Sequence, residues 1–533
     1  MAFGGVYGMS DFSWFRRHKS VYIVIGVLIV AGVVVRLWPV LNDRPLWYDE
    51  ARTWQTAYNP KFLNLLTATA HKEHPPLSYL FVRSFMEVFG ADNFMAMRLP
   101  SLVFGVLCIP AAFAVGKRLI STGAGVLFAL LVALDQLMID QSQQARMYTL
   151  FMLLLLLALL HLAIATDGLR ASNSRSWVQL GLLLGALGWT HQLALVVWPG
   201  FAAGVGFFLF RKRKEPLSAG ENGALKTAVL VFGTALLVDL PPLLQLLRRL
   251  RKPKGTGVSG GGLSLEILHL LSDLLGSLPV AIPVVVICVF GLVLFYRHAN
   301  RSVAVTIAAI GGLTLAAQFP LAQVHHQIGV RYLVPILVVI WIGLVAAIVY
   351  SKGMVKRLTL LVVSIYVVVT FLKAVDLTFV RLPERCLYGY ATDFVVRNVH
   401  DGELVVYYPT FYSNFCQPYA YLYGQDNFFY GRGQMQAFQK KIRDDKKIRG
   451  VWVVLSPKRI VRDSVRNAEK LINFYDKVAD LGVPLRRGIL GPVDREQPVV
   501  LYIKGEDANA WEVRAISANK AGVFTISADG FLE

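Results

Sequence analysis

Eleven apolar stretches, most of them 17 to 21 residues long and separated by short polar segments, constrain this chain more than any other feature. A helix needs about 20 residues to cross the hydrocarbon of a bilayer. Within lipid, only helices and closed barrels satisfy their own backbone groups. A barrel reads as alternating segments of about ten residues, whereas these runs are continuous. The predicted spans are 21–41, 99–116, 123–140, 147–165, 177–190, 193–210, 225–244, 279–296, 302–320, 332–350 and 357–375. Composition agrees: only 17% of the 533 residues are charged and mean hydropathy is +0.52, against about a quarter charged in soluble domains. The fold class is a polytopic α-helical membrane protein. The first stretch has polar flanks and no small-residue cleavage site, so it reads as a retained helix rather than a signal peptide.

The loops set the orientation. With the N-terminus inside, the inner loops carry Arg16-Arg17-His18-Lys19, Lys117-Arg118, Arg170 with Arg175, Arg211-Lys212-Arg213-Lys214, Arg297 with Arg301, and Lys352 with Lys356-Arg357. Each inner loop is basic, as positive-inside orientation demands, and this accounts for the net charge of +20. No basic domain with interleaved aromatics stands apart, so no nucleic-acid partner is expected. An odd number of spans places the C-terminus outside. The expected location is the inner (plasma) membrane, multi-pass, with a cytoplasmic N-terminus and a periplasmic or extracellular C-terminal domain. Segment 76–90 is apolar but holds Arg83 and Glu87. Charge at mid-bilayer is costly, so this segment is predicted to lie in the interface with an Arg–Glu pair one helical turn apart.

The outer segments are a long first loop, 42–98, short loops at 140–148, 191–192 and 323–332, and a basic, Gly-rich loop at 245–278. Beyond residue 376 the pattern changes. Strand-like runs at 403–408, 451–455 and 499–503 alternate with helix-like ones near 389–399, 434–446 and 463–480. That predicts a transmembrane domain, 1–376, followed by an extracytoplasmic α/β domain, 377–533. Cys108 and Cys288 read as packing residues within spans; Cys386 and Cys416 are a candidate disulfide if their domain is outside. The run Gly255–Gly262 lacks the strand, lysine and hydroxyl of a phosphate loop and reads as a flexible connection.

The polar residues with chemical potential sit in the outer loops. Asp49 and Glu50 follow an aromatic run at the end of the first span, in Leu46-Trp47-Tyr48-Asp49-Glu50-Ala51-Arg52. Adjacent acids there suit a general base acting on an alcohol, with Asp49 as the base and Glu50 orienting the acceptor, Asp49 or a metal; the structural alternative is pairing with Arg44 or Arg52. Arg52, Lys72, Arg146 and Arg331 are candidate clamps for a phosphate that gains charge as it leaves. Arg98 adds a further cation, and each cation has the alternative of meeting lipid headgroups. Glu73-His74-Pro75-Pro76 is a proline-fixed turn whose Glu73 and His74 are candidate ligands for a divalent metal or the acceptor. Asp140 is a candidate acceptor contact or a satisfied loop carboxylate. His191, His269, His325 and His326 are further metal partners to consider.

Five motifs occur in order: Trp47-Tyr48-Asp49-Glu50-Ala51, His74-Pro75-Pro76-Leu77, Arg98-Leu99-Pro100-Ser101, Gln144-Ala145-Arg146-Met147-Tyr148 and Arg331-Tyr332-Leu333-Val334-Pro335. In this order they resemble the GT-C glycosyltransferases, in particular bacterial relatives of protein O-mannosyltransferases and of the lipid A aminoarabinose transferase. The resemblance spans about residues 1–350. It implies an inverting transferase that uses a polyprenyl-phosphate sugar on the outer face, with a lipid, glycan or protein acceptor. It carries an acidic role onto Asp49 and Glu50 and a lipid-phosphate role onto Arg146 and Arg331, with Tyr148 and Tyr332 as motif neighbours in substrate binding. In the aminoarabinose branch the position of Glu73 belongs to a metal site, but the residue after it is lysine there and His74 here. Many relatives carry glutamate where this chain has Gln144. Two other readings remain at this stage. A lipid-linked sugar flippase predicts charged or broken helices near mid-membrane and related halves, neither of which is visible in the sequence. A membrane sensor with an outer α/β domain leaves the first-loop motifs without a task.

Overall fold

The computed structural model describes residues 19–58 apart from 43, 74–166, 174–212, scattered positions between 222 and 237, 270–325, 330–381, 387–400, and strands between 403 and 526. The chain forms two compact units. One comprises Met1–Leu41, Pro60–Val82 and Arg98–Asp376; the other comprises Asn42–Asn59, Arg83–Met97 and Leu377–Glu533.

The helices, in chain order, are α1 (Lys19–Leu41), α2 (Tyr48–Ala57), α3 (Leu77–Phe89), α4 (Phe94–Leu119), α5 (Thr122–Leu134), α6 (Gln136–Ser142), α7 (Tyr148–Ala165), α8 (Ser174–Thr190), α9 (Ala194–Lys212), α10 (Leu278–His298), α11 (Arg301–His325), α12 (Val334–Tyr350), α13 (Gly353–Asp376) and α14 (Leu387–Asn398). Among the described residues, seven helices are long and apolar enough to cross a membrane, or eight when α5 and α6 count as one bent span. The chain is a multi-pass membrane protein. Helices occupy ten of the eleven predicted stretches; the remaining one, 225–244, lies largely outside the described residues.

α12 is the hub of the first unit. Every residue from Val334 to Ile348 is buried, as expected of a helix that is apolar all round. α5, α7, α10, α11 and α13 pack against it. α10 and α12 meet at two glycines: a Cβ on Gly343 would lie 2.7 Å from the Cys288 carbonyl oxygen, and one on Gly291 would collide with the Gly343 carbonyl. Small residues at such crossings let helices approach closely in lipid. By contrast α10 and α13 leave large apolar side chains exposed, including Val286, Val289, Leu361 and Leu372. Such a surface suits hydrocarbon, not water.

The predicted span 123–140 is not continuous. It bends by 59° between α5 and α6. A break leaves carbonyls at the end of one helix and amides at the start of the next without helical partners. Here Arg36 of α1, fully buried, donates from Nη2 to the Val132 carbonyl at 2.8 Å, from Nη1 to Ala133 at 2.5 Å, and from Nε to Ser142 Oγ at 3.3 Å. On the other side of the break, Asp135 Oδ1 accepts the Met138 amide at 3.0 Å and Oδ2 accepts the Tyr366 hydroxyl at 3.2 Å. Arg36 and Asp135 are thus the internal stitching of a broken helix.

Segment 76–90 forms α3, whose 13 residues are too few to span a bilayer. The expected pair is present, with Arg83 Nε 2.6 Å from Glu87 Oε1.

In the second unit, six strands form one sheet in the order β2-β1-β3-β4-β5-β6: β1 (Glu403–Tyr408), β2 (Phe428–Phe429), β3 (Gly450–Leu455), β4 (Val499–Asp507), β5 (Ala510–Ala518) and β6 (Phe524–Ile526). β1 runs parallel to β2 and β3, and the remaining pairs are antiparallel. The Glu403 carboxylate accepts the Trp452 indole N–H at 2.8 Å and the His400 amide at 2.9 Å, tying β1, β3 and the end of α14 together. The predicted helices near 434–446 and 463–480, and Cys386 and Cys416, lie outside the described residues. Cys108 and Cys288 are buried free thiols, as their packing role requires.

Candidate active site

The acid pair opens α2 in the second unit. Glu50 is fully buried, and Arg44 binds it through two contacts, Nη1–Oε2 at 3.1 Å and Nη2–Oε1 at 3.2 Å. Glu50 Oε2 also accepts the Trp47 amide at 3.3 Å, reaching back over the helix start as a capping glutamate does. Breaking so buried a pair is costly. Through these contacts Glu50 fixes the first turn of α2. Asp49 is half-buried beside it, and its carbonyl accepts the Thr53 hydroxyl at 2.9 Å. Arg52, one turn on, lies over the Tyr48 ring, 5.7 Å from its centroid, with Nη1 3.4 Å from the Tyr48 hydroxyl.

A second cluster is built wholly within the first unit. Ser101 of α4 clamps the turn before α7: its hydroxyl donates to the Arg146 carbonyl at 2.8 Å, and the Arg146 amide returns to the same oxygen at 3.1 Å. This holds the Arg146 guanidinium where Nη2 lies 3.4 Å from His74 Nε2. The ring of His74 is 5.0 Å from that of His191, in the turn between α8 and α9. His191 in turn lies 5.2 Å from Tyr148 and 6.4 Å from Tyr332, centroid to centroid. Arg331 stands over the Tyr332 ring at 5.6 Å, in the 3₁₀ turn Val330–Leu333 that leads into α12. Four separate segments of the chain thus bring His74, Arg146, Tyr148, His191, Arg331 and Tyr332 together: two guanidiniums and four polar-tipped rings.

His191 was weighed from the sequence only as a remote metal partner, yet it occupies the middle of this cluster. It is 3% exposed. Its Nδ1 accepts the Leu193 amide at 2.9 Å, which ties the ring into its own turn. Burial, then the charges of Arg146 and Arg331, lower its pKa from 6.5 to about 3. The imidazole is neutral across the physiological range. Its sequence signal is a histidine in a two-residue turn between apolar stretches; its placement depends on α7 packing against α8, which no local pattern reveals.

Asp140 is buried and held by two amides, Gln144 Nε2 at 2.6 Å and Gln141 Nε2 at 2.9 Å. Gln144, at the position that departs from many relatives, is thus a partner of that carboxylate. Lys72 and Glu73 lie outside the described residues, as do His269 and the side chains of His325 and His326. Among the described residues no three side chains able to hold a metal converge; the metal expectation at Glu73 lies outside them.

Residues 73–238 match the family model for dolichyl-phosphate-mannose-protein mannosyltransferase, a stretch that contains His74, Arg146, Tyr148 and His191 but not the acid pair or Arg331. The family model covers about a third of the chain, and the likeness to the solved structures is one of fold. Among solved structures, the chain is similar to ArnT from Cupriavidus metallidurans in the apo state, at 12% identity and a TM-score of 0.54, covering 91% of this chain and 98% of that one. The same protein bound to undecaprenyl phosphate matches at 13% identity and 0.53, over 92% and 97%. The oligosaccharyltransferase AglB from Archaeoglobus fulgidus, in complex with an inhibitory peptide and a dolichol-phosphate, matches at 12% identity and 0.50, over 84% of this chain and 70% of that one. No curated protein matches the sequence significantly.

Proposed function

We propose that this protein transfers a sugar from a polyprenyl-phosphate donor to an acceptor hydroxyl at the extracytoplasmic face of the plasma membrane, with inversion at the anomeric carbon. The observation that carries the reading is the first-unit cluster, in which Arg146 and Arg331 converge with His74, Tyr148 and Tyr332 around a buried turn. Two fixed cations among ring donors suit an anion that is a good leaving group and gains charge as its bond breaks. Solved proteins of the same fold carry undecaprenyl phosphate and dolichol-phosphate, which supports a lipid phosphate as that anion. The basic inner loops support the outer location of the opposite loops.

In this reading Asp49 takes the proton of the acceptor hydroxyl as its oxygen attacks the anomeric carbon, and the phosphate departs from the opposite side. One displacement inverts the centre. Glu50, committed to Arg44 and the start of α2, keeps Asp49 on a fixed turn. Arg52 supports the acceptor side, with Lys72 assigned to the same outer loop. Asp140, already bound by two amides, shapes the turn ahead of Arg146.

The test is transfer from a synthetic polyprenyl-phosphate sugar by purified Asp49→Asn protein. It should lose transfer by about a thousand-fold or more, the scale of general-base and positioning losses, while melting like the wild type. The wild-type product should carry the opposite anomeric configuration to the donor by NMR. Full activity of Asp49→Asn, or retention of configuration, would sink this assignment.

A further inference from the structure

A buried imidazole ordinarily has both nitrogens hydrogen-bonded. Among the described residues, His191 has only one such bond. Nδ1 accepts the Leu193 amide, so this nitrogen carries no proton and the neutral ring must carry it on Nε2. Nε2 itself is fully buried and has no hydrogen-bond partner among the described residues. The ring is walled by His74, Tyr148, Tyr332 and Phe151, the last 6.2 Å away and edge-on. A donor kept dry, fixed in direction by its own backbone and left without an acceptor calls for one from outside. The two cations that act on this ring, Arg146 and Arg331, select the charge of that acceptor.

We propose that the Nε2–H of His191 is a fixed, neutral hydrogen-bond donor to a phosphate oxygen of the lipid-linked substrate. This rests on the functional reading above and adds the group that meets the phosphate between the two guanidiniums. When the bond from anomeric carbon to phosphate oxygen breaks, its electron pair stays on that oxygen. The acceptor proton goes to the base, and His191 keeps its own proton throughout. A neutral donor has an advantage over a third cation here: it stabilises the oxygen without adding charge that would hold the spent lipid phosphate in the site. The depressed pKa of about 3 agrees with a ring that does not charge between pH 5 and 8.

The experiment measures undecaprenyl phosphate binding to the full-length protein in nanodiscs, with undecaprenol as the chain-only probe and inorganic phosphate as the headgroup-only probe. His191→Phe should bind undecaprenyl phosphate about 10- to 100-fold more weakly, the range for losing a hydrogen bond to a charged group. His191→Gln, which returns an N–H at similar reach, should stay within a few-fold of wild type. Undecaprenol affinity should be the same in all three proteins; competition by inorganic phosphate at micromolar concentration would mark a free-anion site and overturn the lipid assignment. Nitrogen NMR of labelled histidine supplies a readout independent of any variant's folding: the Nε2–H tautomer should be present in the apo protein, and its resonance should move on adding undecaprenyl phosphate but not undecaprenol. If Arg146→Gln binds weakly while His191→Phe binds like wild type and the resonance stays still, the inference fails and the functional reading stands. If undecaprenyl phosphate and undecaprenol bind alike to every protein, the functional reading fails, and this inference with it.

Discussion

Acidification should weaken the first unit through His191, by an amount the structure sets. Its pKa is 6.5 in the open chain and about 3 in the fold. The folded value is the lower one, so between these limits the unfolded chain takes a proton that the folded protein refuses. Stability from this group is therefore complete above pH 6.5 and drains away as pH falls toward 3. Each pH unit inside the window costs about 1.4 kcal/mol. From pH 7 to pH 5 the loss is about 2 kcal/mol, a sizeable part of a typical folding free energy of about 5–15 kcal/mol. The assay is denaturant unfolding in detergent micelles at both pH values, for wild type and for His191→Phe. Other titrating groups contribute equally to both proteins, so the difference between the two pH dependences isolates this ring. Wild type should lose about 2 kcal/mol more than the variant over the range. Equal pH dependence would refute the reasoning, because it would mean that the ring is solvated or charged in the fold.

Other expectations follow from the same geometry. Arg36→Met should lower stability by more than about 3 kcal/mol, since it strands at least two carbonyls at the helix break; an unchanged melting temperature would show that the break needs no capping. Glu50→Gln should cost about 3–5 kcal/mol by breaking its buried pair with Arg44, measured in the same unfolding assay. Gly291→Val should cost about 1–3 kcal/mol, or more if α10 and α12 separate, because its side chain meets the Gly343 carbonyl; the melting temperature in detergent measures it.

Much of the membrane fold was legible because hydrocarbon dictates it. A bilayer fixes helix length, and the basic loops follow from insertion, so ten predicted spans fall on helices. The break at Asp135 was not legible. Leu134-Asp135-Gln136 looks like a brief polar interruption of an apolar run, and only the arrival of Arg36 from α1 shows where the freed carbonyls go. The site divides in the same way. His74, Arg146, Tyr148, Arg331 and Tyr332 stood out because charged and amphipathic residues at span mouths are conspicuous, and the structure draws them into one cluster. The differing fates of Asp49 and Glu50 were hidden, because nothing in two adjacent acids says which one an arginine six residues earlier will take. His191 was hidden by its ordinariness: its meaning comes from one backbone amide and from helices that bring its turn to the start of α7.

The most direct measurement of the central claim is the release of free polyprenyl phosphate from a polyprenyl-phosphate sugar by the purified protein, with and without acceptor. Release should depend on acceptor, should vanish in Asp49→Asn, and should fall at least about ten-fold in Arg146→Gln. Release that ignores the acceptor, or that both substitutions leave intact, would contradict it.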